Sequence, residues 1–254
     1  MKFGLILAGG LGKRMESSIP KVLHQINSKP MICYVIEKAF EIGCDRIGII
    51  VGKYKQIILN TITQWFNQDP RIIWIDQEEP LGTAHSVLSA MNWMETNLHP
   101  ETDILVLSGD VPLISSHTLE SLMSKSNSIL VTSLCQPQGY GRVIIDYEKN
   151  TIKQIVEEKD STQEEKNINL VNCGIYSIQL SILSKTIYLI NNTNAANEYY
   201  LTDMLKIAYD LGYQINWYEL SNSKSIEIAN INTKQDLQNI QTILTNKFLF
   251  DCSN

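Results

Sequence analysis

The sequence of 254 residues lacks any apolar run near the ~20 residues that an α-helix needs to cross a membrane. Its first ten residues, MKFGLILAGG, are too few and too interrupted by glycine to form a secretory signal peptide. From these two absences we expect a cytoplasmic protein with no membrane partner.

Cysteine is sparse, and its spacing matches neither a metal site nor a disulfide framework. The chain has five cysteines, an odd number, and no two of them form a C-x-x-C pair. This arrangement favours reduced thiols and argues against a cysteine-ligated metal. The five are Cys33, Cys44, Cys135, Cys173 and Cys252.

A surplus of positive charge is also missing. The chain carries 21 Lys and Arg against 27 Asp and Glu, which gives a net charge of −6. This balance argues against a broad nucleic-acid-binding face, so we expect no nucleic-acid partner. The four histidines do not cluster in sequence, and no Ser/His/Asp constellation is evident. A local cluster of cations is therefore informative in this chain.

The first half of the sequence alternates short apolar runs with segments of helical periodicity. Continuous apolar strands separated by helices indicate a parallel sheet that is covered on both faces. We therefore predict an α/β fold with a Rossmann-like, mostly parallel sheet and helices on both faces. The predicted strands are 3–8, 46–51, 72–75, 103–107 and 129–134, and the predicted helices are 31–42, 57–66, 82–94 and 119–124.

After Gln136 the pattern becomes mixed. Two strands joined by a polar turn are predicted within 139–160, followed by a strand at LVNCGIYSI and a late strand at 213–218. Helices are predicted at 198–211 and 233–247, the latter with a capping box of Thr233 and Asp236. We predict one domain, 1–254, with halves 1–136 and 137–254; two closely packed lobes are the alternative.

A glycine-rich loop follows the first predicted strand. Gly9, Gly10 and Gly12 leave backbone N–H groups open to an anion, and three cations follow within a few residues: Lys13, Arg14 and Lys21. The spacing matches neither a Walker A motif nor a dinucleotide fingerprint. The loop by itself indicates either a phosphate site or a tight turn with solvated cations.

Several motifs occur along the chain in the same order as in a known enzyme family. The stretches L-A-G-G-x-G-x-R-M and S-x-x-P-K-V-L-H resemble the signature of the sugar-1-phosphate nucleotidyltransferases, above all the N-acetylglucosamine-1-phosphate uridyltransferase domains of bifunctional bacterial enzymes. The likeness spans nearly the whole chain. Further matching segments are Gln77, LGTAHS (81–86), SGDVPLIS (108–115), GYGRV (139–143), IVEEKD (155–160), VNCGIY (171–176), NEYYLTD (197–203) and NINTKQDL (230–237).

The resemblance implies the nucleotide-diphospho-sugar transferase fold and the transfer of UMP from UTP to N-acetylglucosamine 1-phosphate with Mg²⁺. The first half would bind the nucleotide and the second half the sugar. Arg14 and Lys21 would be the catalytic cations. The implied nucleotide-binding residues are Leu7, Ala8, Gly9, Gly10, Lys21, Gln77, Gly82, Thr83, Ser108, Gly109 and Asp110.

The resemblance also implies metal and sugar ligands. Asp110 and Asn232 would hold Mg²⁺, although Asn230 is one alignment step from the second position. Taken alone, an Asp after a strand is more often a turn residue, and EEKD looks like a solvated charge run. Ser108 stands where bacterial relatives have an aromatic residue. The implied sugar-binding residues are Gly141, Glu157, Asn172 and Asn232, with Glu198 and Tyr199 shaping the pocket.

Three other functions stay open at this point. A related transferase could use another nucleotide or sugar phosphate, or the chain could bind sugar nucleotides without turnover. A dehydrogenase is disfavoured by the glycine spacing. No hexapeptide repeat is present, so we expect uridylyl transfer without acetyl transfer and leave the oligomeric state open.

Overall fold

The computed structural model describes the backbone of residues 1–251 and the side-chain surroundings of residues 1–244. Cys252 lies outside the described residues, and the other four cysteines are free thiols. None of the helices in the described range is long and apolar enough to cross a membrane.

Strands and helices alternate along the chain, as the apolar periodicity predicts. The strands are β1 (Lys2–Leu7), β2 (Gln25–Ile26), β3 (Lys29–Pro30), β4 (Arg46–Val51), β5 (Ile72–Asp76), β6 (Asp103–Ser108), β7 (Ser128–Ser133), β8 (Arg142–Asp146), β9 (Thr151–Val156), β10 (Leu170–Gln179) and β11 (Asn216–Leu220). The helices are α1 (Met31–Glu41), α2 (Lys55–Trp65), α3 (Thr83–Asn97), α4 (Ser116–Met123), α5 (Leu180–Thr186), α6 (Asp203–Asp210) and α7 (Lys234–Asp251).

One sheet of nine strands runs through the described chain. Its main order is β11-β7-β10-β6-β1-β4-β5, and β8 joins it by pairing with β10 and β9. The pairs β1–β4, β1–β6, β4–β5 and β7–β11 are parallel, whereas β10 runs antiparallel to β6, β7 and β8. The predicted mostly parallel sheet is confirmed.

Apolar side chains cover both faces of this sheet, because successive strand residues point to opposite faces. Leu5 and Val106 face one core with α3, α5 and α6. Ile6 and Leu107 face the other core with α1, α2 and α4. The continuous apolar runs of the central strands are explained by this two-sided burial.

The last helix starts with the predicted capping box. The backbone N–H of Asp236 donates to Thr233 Oγ1 (3.1 Å), and the N–H of Thr233 donates to Asp236 Oδ2 (2.8 Å). Helix α7 packs through Ile240 on a small third core with Ile26 and Met31. The cap holds the residues just before α7 in place, and these include Asn232, one of the predicted metal ligands.

Two predicted elements of the second half are displaced. The predicted helix 198–211 begins only at Asp203, because residues 197–202 form turns bonded to another loop: the N–H of Tyr199 donates to Leu81 O (2.9 Å). The predicted strand 213–218 lies at Asn216–Leu220, after a turn through Gly212. Helix α5 was not predicted.

The core position of Phe3 gives a stability prediction. Phe3 is fully buried in the central strand β1 and stacks on Trp93 with ring centroids 5.4 Å apart. We expect Phe3→Ala to lower the free energy of unfolding by ~3–5 kcal/mol, because it leaves a cavity between sheet and helix. Urea denaturation followed by circular dichroism measures this change. Ile57→Ala, which truncates a half-exposed side chain on α2, is the control, and an equal loss in both variants would contradict the prediction.

Candidate active site

A cleft of about 240 Å³ opens where the parallel strands β1, β5 and β6 end. Ligands of open parallel sheets bind beyond these carboxyl ends. All predicted nucleotide-binding residues except Gly109 line this cleft. Gly109 is buried, and its N–H donates to Leu7 O (3.0 Å). The lining residues are Leu7, Ala8, Gly9, Gly10, Lys21, Val22, Gln77, Pro80, Gly82, Thr83, Ser86, Ser108, Asp110 and Glu198.

Lys21 joins three distant segments of the chain at this cleft. Its ammonium contacts Asp110 Oδ2 and donates to Asn232 Oδ1 at 3.1 Å. Ser108 Oγ donates to the second carboxylate oxygen, Asp110 Oδ1. Asp110 is only 5% exposed, and a buried carboxylate needs such partners to remain charged. The predicted metal residues Asp110 and Asn232 are thus brought within reach of one cation.

Asn232 is held in place by the start of helix α7. Its backbone N–H donates to Asp236 Oδ2 (3.0 Å), and the N–H of Ile231 donates to Asp110 O (3.1 Å). Asn230 is exposed. Of the two asparagines that the sequence left open, the one whose side chain contacts Lys21 is Asn232.

Arg14 is not part of the cleft wall in the described structure. It lies exposed in the short 3-10 helix Lys13–Met15, whose buried residue is Met15. Asp236 at the cap of α7 lies within its electrostatic range. Of the three predicted cations, Lys21 lines the cleft, whereas Lys13 and Arg14 are exposed and lie outside its lining.

Gln77 also lines the cleft. This side chain is 4% exposed, and its Oε1 lies so close to the glycine loop that a Cβ on Gly9 would stand 2.4 Å from it. Ser86 Oγ donates to the same oxygen at 2.9 Å. Glycine is required at position 9 if Gln77 is to keep this position.

The LGTAHS segment, which leads into α3, is hydrogen-bonded to the segment 197–203. Gly82 has φ +129°, and a Cβ there would stand 2.4 Å from Tyr199 O. The N–H of Ala84 donates to Tyr199 O (2.9 Å), and the N–H of Leu201 donates to Thr83 Oγ1 (3.0 Å). The predicted motifs around Gly82 and Tyr199 are therefore one structural unit.

The remaining predicted sugar residues form a second group, which segment 197–203 joins to the cleft. Gly141 lies beside the Glu157 carboxylate, and its carbonyl accepts from Asn172 N–H (2.9 Å). Glu157 Oε1 accepts from Thr202 Oγ1 (2.9 Å). The Asn172 amide is used internally, since it donates to Tyr176 Oη (2.7 Å) and accepts from Gly174 N–H (3.0 Å).

Comparison with known proteins agrees with this geometry. Residues 4–161, more than half of the chain, match the model of the MobA-like NTP transferase domain. The chain belongs to this NTP transferase family. A probable UDP-N-acetylglucosamine pyrophosphorylase of Acanthamoeba polyphaga mimivirus is 40% identical over 245 residues, with 94% of each chain covered.

A second relative is longer than this NTP transferase chain. The bifunctional protein GlmU of Thermoanaerobacter pseudethanolicus is 38% identical over 246 residues, which cover 94% of this chain and 51% of GlmU. The chain thus spans about half the length of that relative.

Solved structures support the fold of this NTP transferase. A UDP-glucose pyrophosphorylase crystallised with UDP-glucose matches with a TM-score of 0.75 at 20% identity, covering 97% of this chain and 99% of that one. A putative glucose-1-phosphate thymidylyltransferase from Bacillus anthracis matches with a TM-score of 0.70 at 19% identity, covering 96% and 95%. The predicted nucleotide-diphospho-sugar transferase fold is confirmed.

Sequence reasoning missed some residues of this NTP transferase site. Ser86 was predicted only as a member of the LGTAHS motif and not as a site residue, although its hydroxyl contacts Gln77. Pro80 and Val22 also line the cleft, and Glu198, expected at the sugar pocket, reaches the same cleft. The signal for Ser86 was its spacing from Gly82, because residues four apart on a helix lie on one face.

Burial, together with neighbouring carboxylates, raises the pKa of two acidic residues at the second group. Burial raises the pKa of Glu157 above its usual range, and the hydrogen bond from Thr202 opposes this rise. Burial, assisted by the charges of Glu157 and Asp160, raises the pKa of Asp203 from 3.8 to about 6. Asp203 of this NTP transferase therefore loses its proton closer to neutral pH than a free aspartate does.

Asp203 makes the stability of this NTP transferase depend on pH. Between pH 3.8 and about 6 the folded state keeps a proton that the unfolded chain loses, so stability falls as pH rises through this window. Above it, we expect Asp203→Asn to raise the melting temperature by roughly 2–4 °C, the shift that ~1 kcal/mol gives in a domain of this size. Most of the gain should be lost near pH 4, because the carboxyl there is protonated in the folded state and in a large fraction of the unfolded chains.

Differential scanning fluorimetry at pH 4 and pH 7.5 checks this expectation. Glu148→Gln, which neutralises an exposed carboxylate in the β8–β9 turn, is the control and should show no gain at pH 7.5. Equal melting temperatures of Asp203→Asn and the parent protein at pH 7.5 would refute the assignment.

Proposed function

We propose that this chain transfers a uridylyl group from UTP to N-acetylglucosamine 1-phosphate, which releases pyrophosphate and forms UDP-N-acetylglucosamine. The observation that carries the proposal is the convergence of Lys21, Asp110 and Asn232 beside the glycine loop. The name of the mimivirus relative, a probable UDP-N-acetylglucosamine pyrophosphorylase, supports the choice of substrates.

The reaction requires charge neutralisation more than proton transfer. A phosphate oxygen of the sugar phosphate attacks the α-phosphorus of UTP, the bond to the β-phosphate oxygen breaks, and that electron pair leaves with pyrophosphate. The attacking oxygen is already an anion, so no general base is needed. Catalysis then consists of positioning two repelling anions and stabilising the charge on the phosphorus centre.

The glycine loop and the cations would perform this task. Backbone groups of Gly9 and Gly10 would hold the phosphates at the end of β1. Lys21, which lines the cleft, would neutralise the α-phosphate, while the exposed Arg14 would meet phosphates that extend past the loop. We propose residues 1–136 as the nucleotide-binding half and residues 137–254 as the sugar-binding half.

The donor set at Asp110 and Asn232 fits Mg²⁺. Both side chains offer hard oxygen atoms, and the Lys21 ammonium already contacts an oxygen of each. No group of three or more His, Cys, Asp or Glu in the described chain could hold a metal, so phosphate and water oxygens would complete the shell, as Mg²⁺ commonly requires. The ion would neutralise phosphate charge during transfer.

The second group would bind the sugar. Glu157 lies beside Gly141 and accepts from Thr202, and its carboxylate can accept hydrogen bonds from sugar hydroxyls. Asn172, whose amide is bonded to Tyr176 and Gly174, would present its backbone or exchange one of these bonds. Glu198 reaches the cleft from the segment between the two groups.

A pyrophosphate-release assay over a panel of nucleotides and sugar phosphates tests the proposal. We expect release with UTP, N-acetylglucosamine 1-phosphate and Mg²⁺, and loss of release when EDTA removes the metal. Turnover with a different pair would replace the substrates named above. Binding of UDP-N-acetylglucosamine without turnover of any pair would instead identify a non-catalytic sugar-nucleotide-binding protein.

Substitutions of Lys21 and Asp110 give a sharper test. We expect Lys21→Ala and Asp110→Ala each to lower turnover by ~10²-fold or more, because each removes an electrostatic stabiliser of the reaction. Lys38→Ala, which breaks an exposed ion pair with Glu41 on α1, is the matched control for loss of a lysine. Thermal melts check that the variants fold, and rates within a few-fold of the parent would contradict the assignment.

A further inference from the structure

The Gln77 amide has one occupied end and one open end. Its oxygen Oε1 faces Gly9 and accepts from Ser86 Oγ at 2.9 Å. Its nitrogen Nε2 has no hydrogen-bond partner among the described residues, although Gln77 is 4% exposed and lines the cleft. A nearly buried amide with a free donor in a cleft is suited to a ligand that offers an acceptor.

The Ser86 hydroxyl decides which end of the amide is open. Its oxygen lies 2.9 Å from Gln77 Oε1 and 3.2 Å from Gly82 O. The Gly82 carbonyl already accepts the backbone N–H of Ser86 at 3.1 Å. The shorter distance to Oε1 favours the Gln77 amide oxygen as the acceptor of the hydroxyl proton, and this bond holds the amide with Nε2 toward the cleft.

We propose that Ser86 is a specificity-determining positioning residue, which orients the Gln77 amide so that a donor N–H meets the nucleotide base. Uracil carries a carbonyl oxygen at the ring position where cytosine carries an amino group. A fixed Nε2 donor matches the carbonyl and opposes the amino group, and a mismatched polar edge in a closed site is costly. The inference rests on the proposed use of a pyrimidine nucleotide.

The chain provides a matched control on the same helix. Ser89 Oγ donates to His85 O at 3.0 Å. This contact repeats the Ser86-to-Gly82 contact three residues further along α3, and Ser89 does not line the cleft. Ser89→Ala removes a serine hydroxyl from α3 without touching Gln77. Any general effect of losing such a hydroxyl appears in both variants.

The experiment compares kcat/KM for UTP and CTP, and the dissociation constant of each nucleotide by calorimetry. In Ser86→Ala we expect the preference for UTP to fall about tenfold, on the scale of one lost hydrogen bond to a buried amide. Ser86→Thr, which keeps the hydroxyl, should retain the preference within ~2-fold of the parent. Ser89→Ala should retain it as well. Gln77→Glu, which removes the donor, should bind UTP ~10²-fold more weakly.

The outcomes separate this inference from the proposed function. If the parent protein neither binds nor turns over UTP, the proposed function fails. If the parent prefers UTP and Ser86→Ala keeps the same ratio, or loses it no more than Ser89→Ala, the role of Ser86 is refuted while the function stands. Ser86→Cys, whose thiol is a weak donor, replaces Ser86→Ala if the latter does not fold and should also lose the preference.

Discussion

The contact of the Lys21 ammonium with Asp110 and Asn232 is the constraint on which the site depends. Asp110 lies in the turn just after the central strand β6, Asn232 precedes the last helix, and Lys21 follows the glycine loop, so three chain segments meet at one charge. A buried carboxylate that lost this partner would be strongly destabilised. The contact therefore forms only when the glycine loop, the end of β6 and the start of α7 are all correctly placed relative to one another.

The sheet explains why such distant residues meet. Strands β1, β5 and β6 run in the same direction, so the residues after each of them gather at one edge. The two cores on the faces of the sheet fix the positions of these ends, and the caps and turns outside the sheet then aim the side chains. The backbone of the sheet therefore determines where the site lies, and the side-chain hydrogen bonds determine how its residues are oriented.

Much of the fold followed from pattern, whereas the contacts between loops did not. The strand Arg46–Val51 was predicted to the residue because its apolar run is bounded by charge and glycine. The capping box of Thr233 and Asp236 was predicted because it depends on residues three apart. The start of α6 was predicted five residues early, since Tyr199 bonds to Leu81, a partner that no local pattern shows.

The same division applies to the candidate site. Leu7, Gln77 and Ser108 could be placed at the cleft because they lie at or just after the ends of parallel strands. The bond from Ser86 to Gln77 joins two elements and depends on side-chain direction. The internal use of the Asn172 amide likewise depends on an irregularity of β10 between Asn172 and Tyr176. The division into halves stays a prediction, and the oligomeric state stays open.

The bonded pair of loops at Gly82 and Tyr199 has a consequence for protein engineering. Because the backbone of one loop leaves no room for a side chain on the other, neither can be exchanged alone between homologous enzymes. A chimera designed to accept a new sugar would have to transplant residues 81–86 and 197–203 as a matched cassette, although more than a hundred positions separate them in the gene.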